Sequence, residues 1–160
     1  IYLAATDPAN PYGAILPWPR VQDEDTNLPA HHAMARAAGA GVILINGYLA
    51  AFLRRRNPAI RVFLPESEPE RSSFARDLAK KLAELAIRRQ RRNSGLLIGI
   101  INEKPAREHF LARFLEDAGF VNTVLGFQMR RAQSIAGPAP VDDSIDDDDA
   151  DAEPQISESA

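Results

Sequence analysis

The sequence predicts an α+β fold: a mostly antiparallel, barrel-like β-sheet with two amphipathic helices and a disordered acidic C-terminal tail. Three observations carry that expectation. Two β-rich apolar runs, Val42-Ile43-Leu44-Ile45 and Tyr48 to Leu53, are separated by Asn46-Gly47. Asn-Gly between apolar runs is the strongest short hairpin signal, because both residues of a type I′ turn need positive φ. Further on, Phe74, Leu78, Leu82 and Leu85 recur at helical spacing and give one apolar stripe. Finally, residues 138–160 hold nine acids (Asp142, Asp143, Asp146, Asp147, Asp148, Asp149, Asp151, Glu153 and Glu158) with no Lys or Arg and no aromatic residue. Such a segment buries too little apolar surface to offset the entropy of ordering it.

Taken in order, Ile1–Ala5 is short, apolar and β-prone. Thr6 to Gly13 is dense in Pro, Asn and Asp and predicts an irregular loop, since its two prolines deny ladder donors. Ala14–Pro19 is expected to be extended, with Trp18 between two prolines, and Arg20–Pro29 to be mobile. His31–Ala38 suits one or two helical turns, stopped by Gly39 and Gly41. The hairpin follows, and a second turn at Arg54–Pro58 leads to a third strand at Ile60–Leu64. These strands carry large apolar residues on both faces, so both faces should be covered or the sheet should curl towards a barrel. Ser67-Glu68-Pro69-Glu70 fits a capping box, with Ser67 capping a backbone N–H at Glu70. A long helix then runs to Arg88, Arg89, Arg91 and Arg92, with Asn93 and Gly95 as its stop. Leu96–Ile101 is expected as one strand and Pro105–Ala118 as a second helix ending at Gly119. Thr123–Arg130 is the last strand.

Composition bounds the function. The chain has 160 residues and no cysteine, which excludes disulfides and Cys-based zinc sites. No apolar run approaches the roughly 18 residues of a membrane span, and no signal peptide is evident, so a cytoplasmic location is expected. The formal charge of −3 conceals an asymmetry: with the nine acids of 138–160 set aside, residues 1–137 carry 19 basic and 13 acidic side chains, a net of +6. The expected organisation is therefore a basic module over 1–137 and an acidic tail over 138–160. The tail either solubilises the chain or competes with nucleic acid for the basic surface. The chain opens on Ile1, not Met, and is taken as a piece of a longer product.

Residues Ala4-Ala5-Thr6-Asp7-Pro8-Ala9-Asn10-Pro11-Tyr12-Gly13-Ala14, followed by Leu16-Pro17-Trp18-Pro19, form a long and specific block. It resembles the signature near the C-terminus of Lhr-type (large helicase-related) ATP-dependent DEAD/DEAH-box helicases. Arg36-Ala37-Ala38-Gly39-Ala40-Gly41 resembles the segment leading into that family's hairpin, one residue longer here. Asn46-Gly47 stands where the family more often has Asp-Gly, and Arg55-Arg56-Asn57-Pro58 replaces a turn that usually holds a Gly-Gly pair. Ala118-Gly119-Phe120, Gly126-Phe127 and Met129-Arg130-Arg131 resemble the family's close. The resemblance covers about 1–131. It implies a barrel-like terminal module of a DNA-repair helicase whose motor uses ATP and Mg. The implied partners are single-stranded DNA or a DNA/RNA hybrid and upstream helicase domains of the same or a split protein. Some members of the family are uracil-DNA glycosylases.

The motor itself is not written in these residues. No GxxxxGK[ST] occurs, and none of Lys80, Lys81 and Lys104 follows a Gly-rich loop, so the chain has no phosphate cradle and needs no cofactor of its own. A metal site is not expected from the adjacent His31 and His32 and the isolated His109. For glycosylase chemistry the opening loop offers Asp7 as a weak candidate catalytic carboxylate, with Tyr12 and Trp18 as base-stacking candidates. The same residues suit better a braced Pro-rich turn, Asp7 and Asn10 by Asx bonds and the two rings by packing. Nucleic-acid binding has broader support: Arg54, Arg55, Arg56 and Arg61 mark a hairpin end, Arg88, Arg89, Arg91 and Arg92 a helix end, and Arg130 and Arg131 a strand end. Guanidiniums neutralise phosphates and stack on bases. A third class is a structural interaction module, including a homo-oligomer formed through the apolar opening strand.

Overall fold

In the computed structural model, residues 1–20 and 33–130 are described. The opening strand β1 (Tyr2–Ala4) pairs antiparallel with β2 (Ala40–Ile45), which pairs with β3 (Tyr48–Arg54), which pairs with β4 (Ala59–Val62). Asn46 and Gly47 both take positive φ, 52° and 83°, as the I′ turn demands. A register shift next to Ile43 leaves Ala50 as an extra residue in β3, so Ala50 and Ala51 both pack towards the same side.

The helix α1 (Glu70–Gln90) covers one face of this sheet, burying Ala75, Leu78, Leu82 and Leu85 against Ile43, Ile45, Leu53 and Val62. Each such side chain withdrawn from water contributes about 1.5–3 kcal/mol. Its start departs from the expected capping box. Pro69 occupies the cap position with no side-chain hydrogen bond. The carboxylate of Glu68 instead accepts from the backbone N–H of Ser72 (3.1 Å) and from its hydroxyl (2.8 Å). Ser67 contributes only its carbonyl, to the N–H of Arg71. The acid one turn earlier takes over the capping because the proline has moved the helix start past Ser67.

After α1 the expected single strand is two. β5 (Leu97–Ile98) pairs with β9 (Gly126–Met129), and β6 (Ile100–Ile101) pairs parallel with β4 and antiparallel with β7 (Lys104–Pro105). Gly99 is the break. A Cβ there would lie 2.9 Å from the Leu125 carbonyl oxygen, so glycine permits the two strands to part around that turn. The second helix is shorter than expected: a 3-10 turn at Ala106–Glu108, then α2 (Ala112–Asp117). His109 separates them in an extended conformation. Gly119 closes α2 at φ 95°. The last strand is really a hairpin, β8 (Phe120–Thr123) and β9, turned at Val124-Leu125, with Gly126 at φ 127° opening β9 opposite Thr123.

The expectation of a barrel is corrected. The main sheet has the order β1-β2-β3-β4-β6-β7 and its two edge strands do not meet; a separate three-stranded sheet has the order β5-β9-β8. Closure is unnecessary because both faces of the central strands are already covered. The face away from α1 presents Val42, Leu44, Leu49 and Phe52; the opening loop lays Tyr12 and Trp18 over them, and Met34 packs on the same cluster. Within that loop, Ala14–Pro19 is not simply extended: three N–H groups, of Ala14, Ile15 and Leu16, turn back onto the Pro11 carbonyl. Residues 33–38 are not helical, while His31, His32, the mobile stretch expected at Arg20–Pro29 (from residue 21 on), Arg131 and the tail 138–160 lie outside the described residues.

Candidate nucleic-acid interface

Two of the arginine clusters come together at one end of the molecule, beside the end of β9. The β3–β4 turn brings Arg56, the last turn of α1 brings Arg89 and Gln90, and β9 brings Gln128 and Met129. With Asn57, Pro58 and Ser94 to Leu97 they line a groove of about 470 Å³. No carboxylate lines it. The end of β9 is tied to the end of α1, since the Gln90 amide donates to the carbonyls of Met129 (3.0 Å) and Arg130 (3.4 Å). Arg130 is thereby held, exposed, beside the groove. Leu97 and Met129 add apolar surface between the cations, and Ser94, Asn57 and Gln128 add polar groups.

The turn that carries Arg56 is built for position. Asn57 accepts the Ala59 N–H at 2.8 Å in an Asx turn. Arg56 itself takes φ 59°, a left-handed conformation that costs a non-glycine residue roughly 1 kcal/mol. A glycine would avoid that cost, yet the site holds an arginine whose side chain faces two concavities. On the other side of the turn, Arg54, Arg55 and Arg56 border a second groove of about 560 Å³ floored by Ala37, Ala38, Gly39 and Ala40. Its lining likewise has no acid. Arg54 donates to the Ala33 carbonyl at 2.5 Å.

The other basic residues are placed differently. Arg88, Arg91 and Arg92 are exposed around the end of α1. Arg61 is buried in β4 and forms an ion pair of 3.0 Å with Glu103, so it stands apart from the exposed turn cluster. Among the described residues no group of three or more His, Cys, Asp and Glu side chains is placed to hold a metal ion. No described helix is long and apolar enough to cross a membrane.

The opening loop lies on the face opposite α1, and its side chains are held by internal bonds. Asp7 accepts the Ala9 N–H at 2.8 Å. Asn10, 1% exposed, donates to the carbonyls of Ala5 (2.9 Å) and Tyr12 (3.3 Å) and accepts from the Tyr12 N–H (3.1 Å). The Tyr12 hydroxyl accepts the Leu49 N–H at 3.1 Å, and its ring stacks near Trp18 at 6.4 Å, which in turn meets Phe52 edge-on at 5.4 Å. Arg36 locks the loop, its guanidinium donating to the carbonyls of Asn10 (2.6 Å), Asp7 (3.1 Å), Thr6 (3.2 Å) and Tyr12 (3.4 Å). Sequence reasoning did not single out Arg36 as a brace. The signal was there: it is the one charged residue in the otherwise small and apolar run Ala33 to Ala40.

Fold and groove define an open-sheet α+β module with a basic, acid-free concavity at one end. The sequence adds a relationship. Over 73 residues, 46% of the chain, it is 42% identical to a protein of Mycolicibacterium smegmatis described as "Lhr helicase/ probable uracil glycosylase". A region of the chain is thus Lhr-related. The chain spans only 4% of that relative's length. No family model matches the chain.

Proposed function

We propose that the chain is the C-terminal accessory module of an Lhr-type helicase and binds nucleic acid through the groove between the β3–β4 turn and the end of α1. The observation that carries this reading is the convergence of Arg56 and Arg89 on a concavity lined by no carboxylate, with the backbone of Arg130 tied beside it. Guanidiniums spaced around an apolar floor suit phosphates at the rim and unstacked bases within, which favours a single strand or the single-stranded part of a DNA/RNA hybrid. On this reading ATP and Mg belong to motor domains upstream in the parent, which are the module's protein partners; the setting is DNA repair at the nucleoid in the cytoplasm. Homo-oligomerisation is not needed for it.

The test is fluorescence anisotropy of the full chain with single-stranded DNA, a DNA/RNA hybrid and a blunt duplex across a salt series. Single strands are expected to bind tightest. Replacing Arg56 and Arg89 together by Gln should remove two phosphate contacts and reduce the slope of log K against log salt by about 1.4 on a single strand. Absence of binding at low salt, or binding that ignores salt, overturns the proposal.

A further inference from the structure

A second cluster of cations lies at the other end of α1, about 27 Å away at 1.5 Å per residue between Arg71 and Arg89. The guanidinium of Arg71 sits 4.3 Å over the ring of Phe110, and that of Arg113 lies 4.6 Å from the same ring and 4.7 Å from Phe114. Arg76 approaches Phe114 at 5.8 Å. The two rings are 5.5 Å apart and support all three cations. Stacking by the guanidinium face satisfies the ring quadrupole but leaves the N–H edges to find other acceptors. Among the described residues none of these three arginines has an ion pair. The Nε of Arg71 is buried without a hydrogen-bond partner. Nearby, Glu108 is already engaged by Arg107.

His109 reports the field of this cluster. Its pKa is pushed down from 6.5 to about 4, first by burial and then by the charges of Arg71 and Lys104. Its Nδ1 accepts the Leu111 N–H at 3.1 Å, so the neutral ring carries its proton on Nε2 and presents a donor. The groups gathered here are therefore donors and cations: Arg71 and Arg76 from α1, Lys104 from β7, His109 from the link and Arg113 from α2. The one acceptor among them, the His109 Nδ1, is already taken by the Leu111 N–H.

We propose that Arg71, Arg76 and Arg113, held on Phe110 and Phe114, form a second oxyanion site that takes a phosphate group. The phosphate is either a phosphodiester of a bound nucleic-acid strand or a free phosphoryl compound. The proposal is independent of the groove, since it shares no residue with it.

His109 gives the readout. A bound oxyanion offsets the charges of Arg71 and Lys104 but not the burial, which is the larger cause, so the His109 pKa should rise part of the way, by about one unit. The ring is followed by NMR titration of the full chain with none, with millimolar inorganic phosphate, or with a short oligothymidylate lacking a terminal phosphate. A rise with the oligonucleotide alone assigns the site to strand backbone; a rise with inorganic phosphate assigns it to free phosphoryl groups. Arg113→Gln is the control. Arg113 is not among the causes of the depressed pKa, so the ligand-free value should stay near 4 while the ligand-induced rise disappears. No rise with either probe, or an equal rise in Arg113→Gln, overturns the site and leaves the arginines as covers for two phenylalanines. The Arg56→Gln, Arg89→Gln chain separates this from the groove: its His109 should still respond to inorganic phosphate even if groove binding fails.

Discussion

Replacing Asn10 by Ala removes three hydrogen bonds from a residue that is 1% exposed. Two of them are made with Tyr12, whose backbone N–H and carbonyl sit near the protein edge and regain water or keep the weaker bond from Arg36. The third matters more. The Ala5 carbonyl faces the Asn10 amide within a residue that has no exposed surface, so its acceptor is left without solvent or partner. Stranding one buried acceptor costs about 1–3 kcal/mol and losing two half-exposed bonds about 0.5–1 kcal/mol each, which gives roughly 3 kcal/mol for the substitution. Urea unfolding of the full chain, followed by the fluorescence of its single tryptophan, measures it. Trp18 stacks on the same loop, so its emission also reports whether the loop detaches before the sheet unfolds. Nucleic-acid affinity should be unchanged below the unfolding transition, because the groove is built from the β3–β4 turn, α1 and β9. A loss under 0.5 kcal/mol, or a collapse of nucleic-acid binding in a folded variant, would refute the assignment of Asn10 to bracing.

Asp7→Asn keeps the acceptor for the Ala9 N–H, so stability should change by less than about 0.5 kcal/mol; loss of uracil excision in an abasic-site assay would then mark Asp7 as catalytic and not as a turn brace. Gly13→Ala places a Cβ 2.6 Å from the Trp18 ring at φ 74°, and should shift the tryptophan emission and lower the urea midpoint. The depressed His109 pKa means that the unfolded chain binds a proton the folded chain refuses: stability should fall as pH drops from about 6.5 to about 4, and His109→Gln should remove that part of the slope, seen as a midpoint difference that is constant above pH 6.5 and shifts in favour of the variant between about 6.5 and 4. Changing the nine acids of 138–160 to Asn and Gln should tighten DNA binding several-fold at low salt and have little effect near about 0.5 M salt, where the Debye length falls below roughly 5 Å; equal affinities at low salt would show that the tail does not compete.

The sequence announced the parts of the fold that depend on local chemistry. Asn46-Gly47 dictated its turn, the Phe74 to Leu85 stripe dictated α1, and apolar residues on both faces of β2 and β3 required cover on both. It did not reveal what supplies the second cover. A Pro-rich loop has no periodicity to read, and only the structure shows Tyr12 and Trp18 seated on Phe52 with Arg36 holding the loop shut. The candidate site was legible as a set of charged element ends and illegible as a place. Arg61 looked like a member of the turn cluster because it is near in sequence, but strand alternation points it inward to Glu103. Arg71, Arg76 and Arg113 looked like ordinary helix surface, since their relation to Phe110 and Phe114 depends on how α2 docks against α1.

What brings the groove into being is the break at Gly99. Were Leu96–Ile101 one strand, β5 would continue the main sheet and β9 would have no separate sheet to join. With the break, Leu97 and Ile98 leave the main sheet for β9, and the Gly99 N–H stays tied to the Pro58 carbonyl at 2.9 Å. The β3–β4 turn and the small sheet are thus fixed on either side of one residue, with the end of α1 above the seam. Gly126 completes the junction, since a Cβ there would meet the Ile98 carbonyl and the Gly99 backbone. Two glycines with no chemistry of their own therefore permit the close approach of the β3–β4 turn and the small sheet at one edge of the groove. The groove is a consequence of where two sheets meet, and the two cations that line it, Arg56 and Arg89, come from a turn and a helix end that meet there.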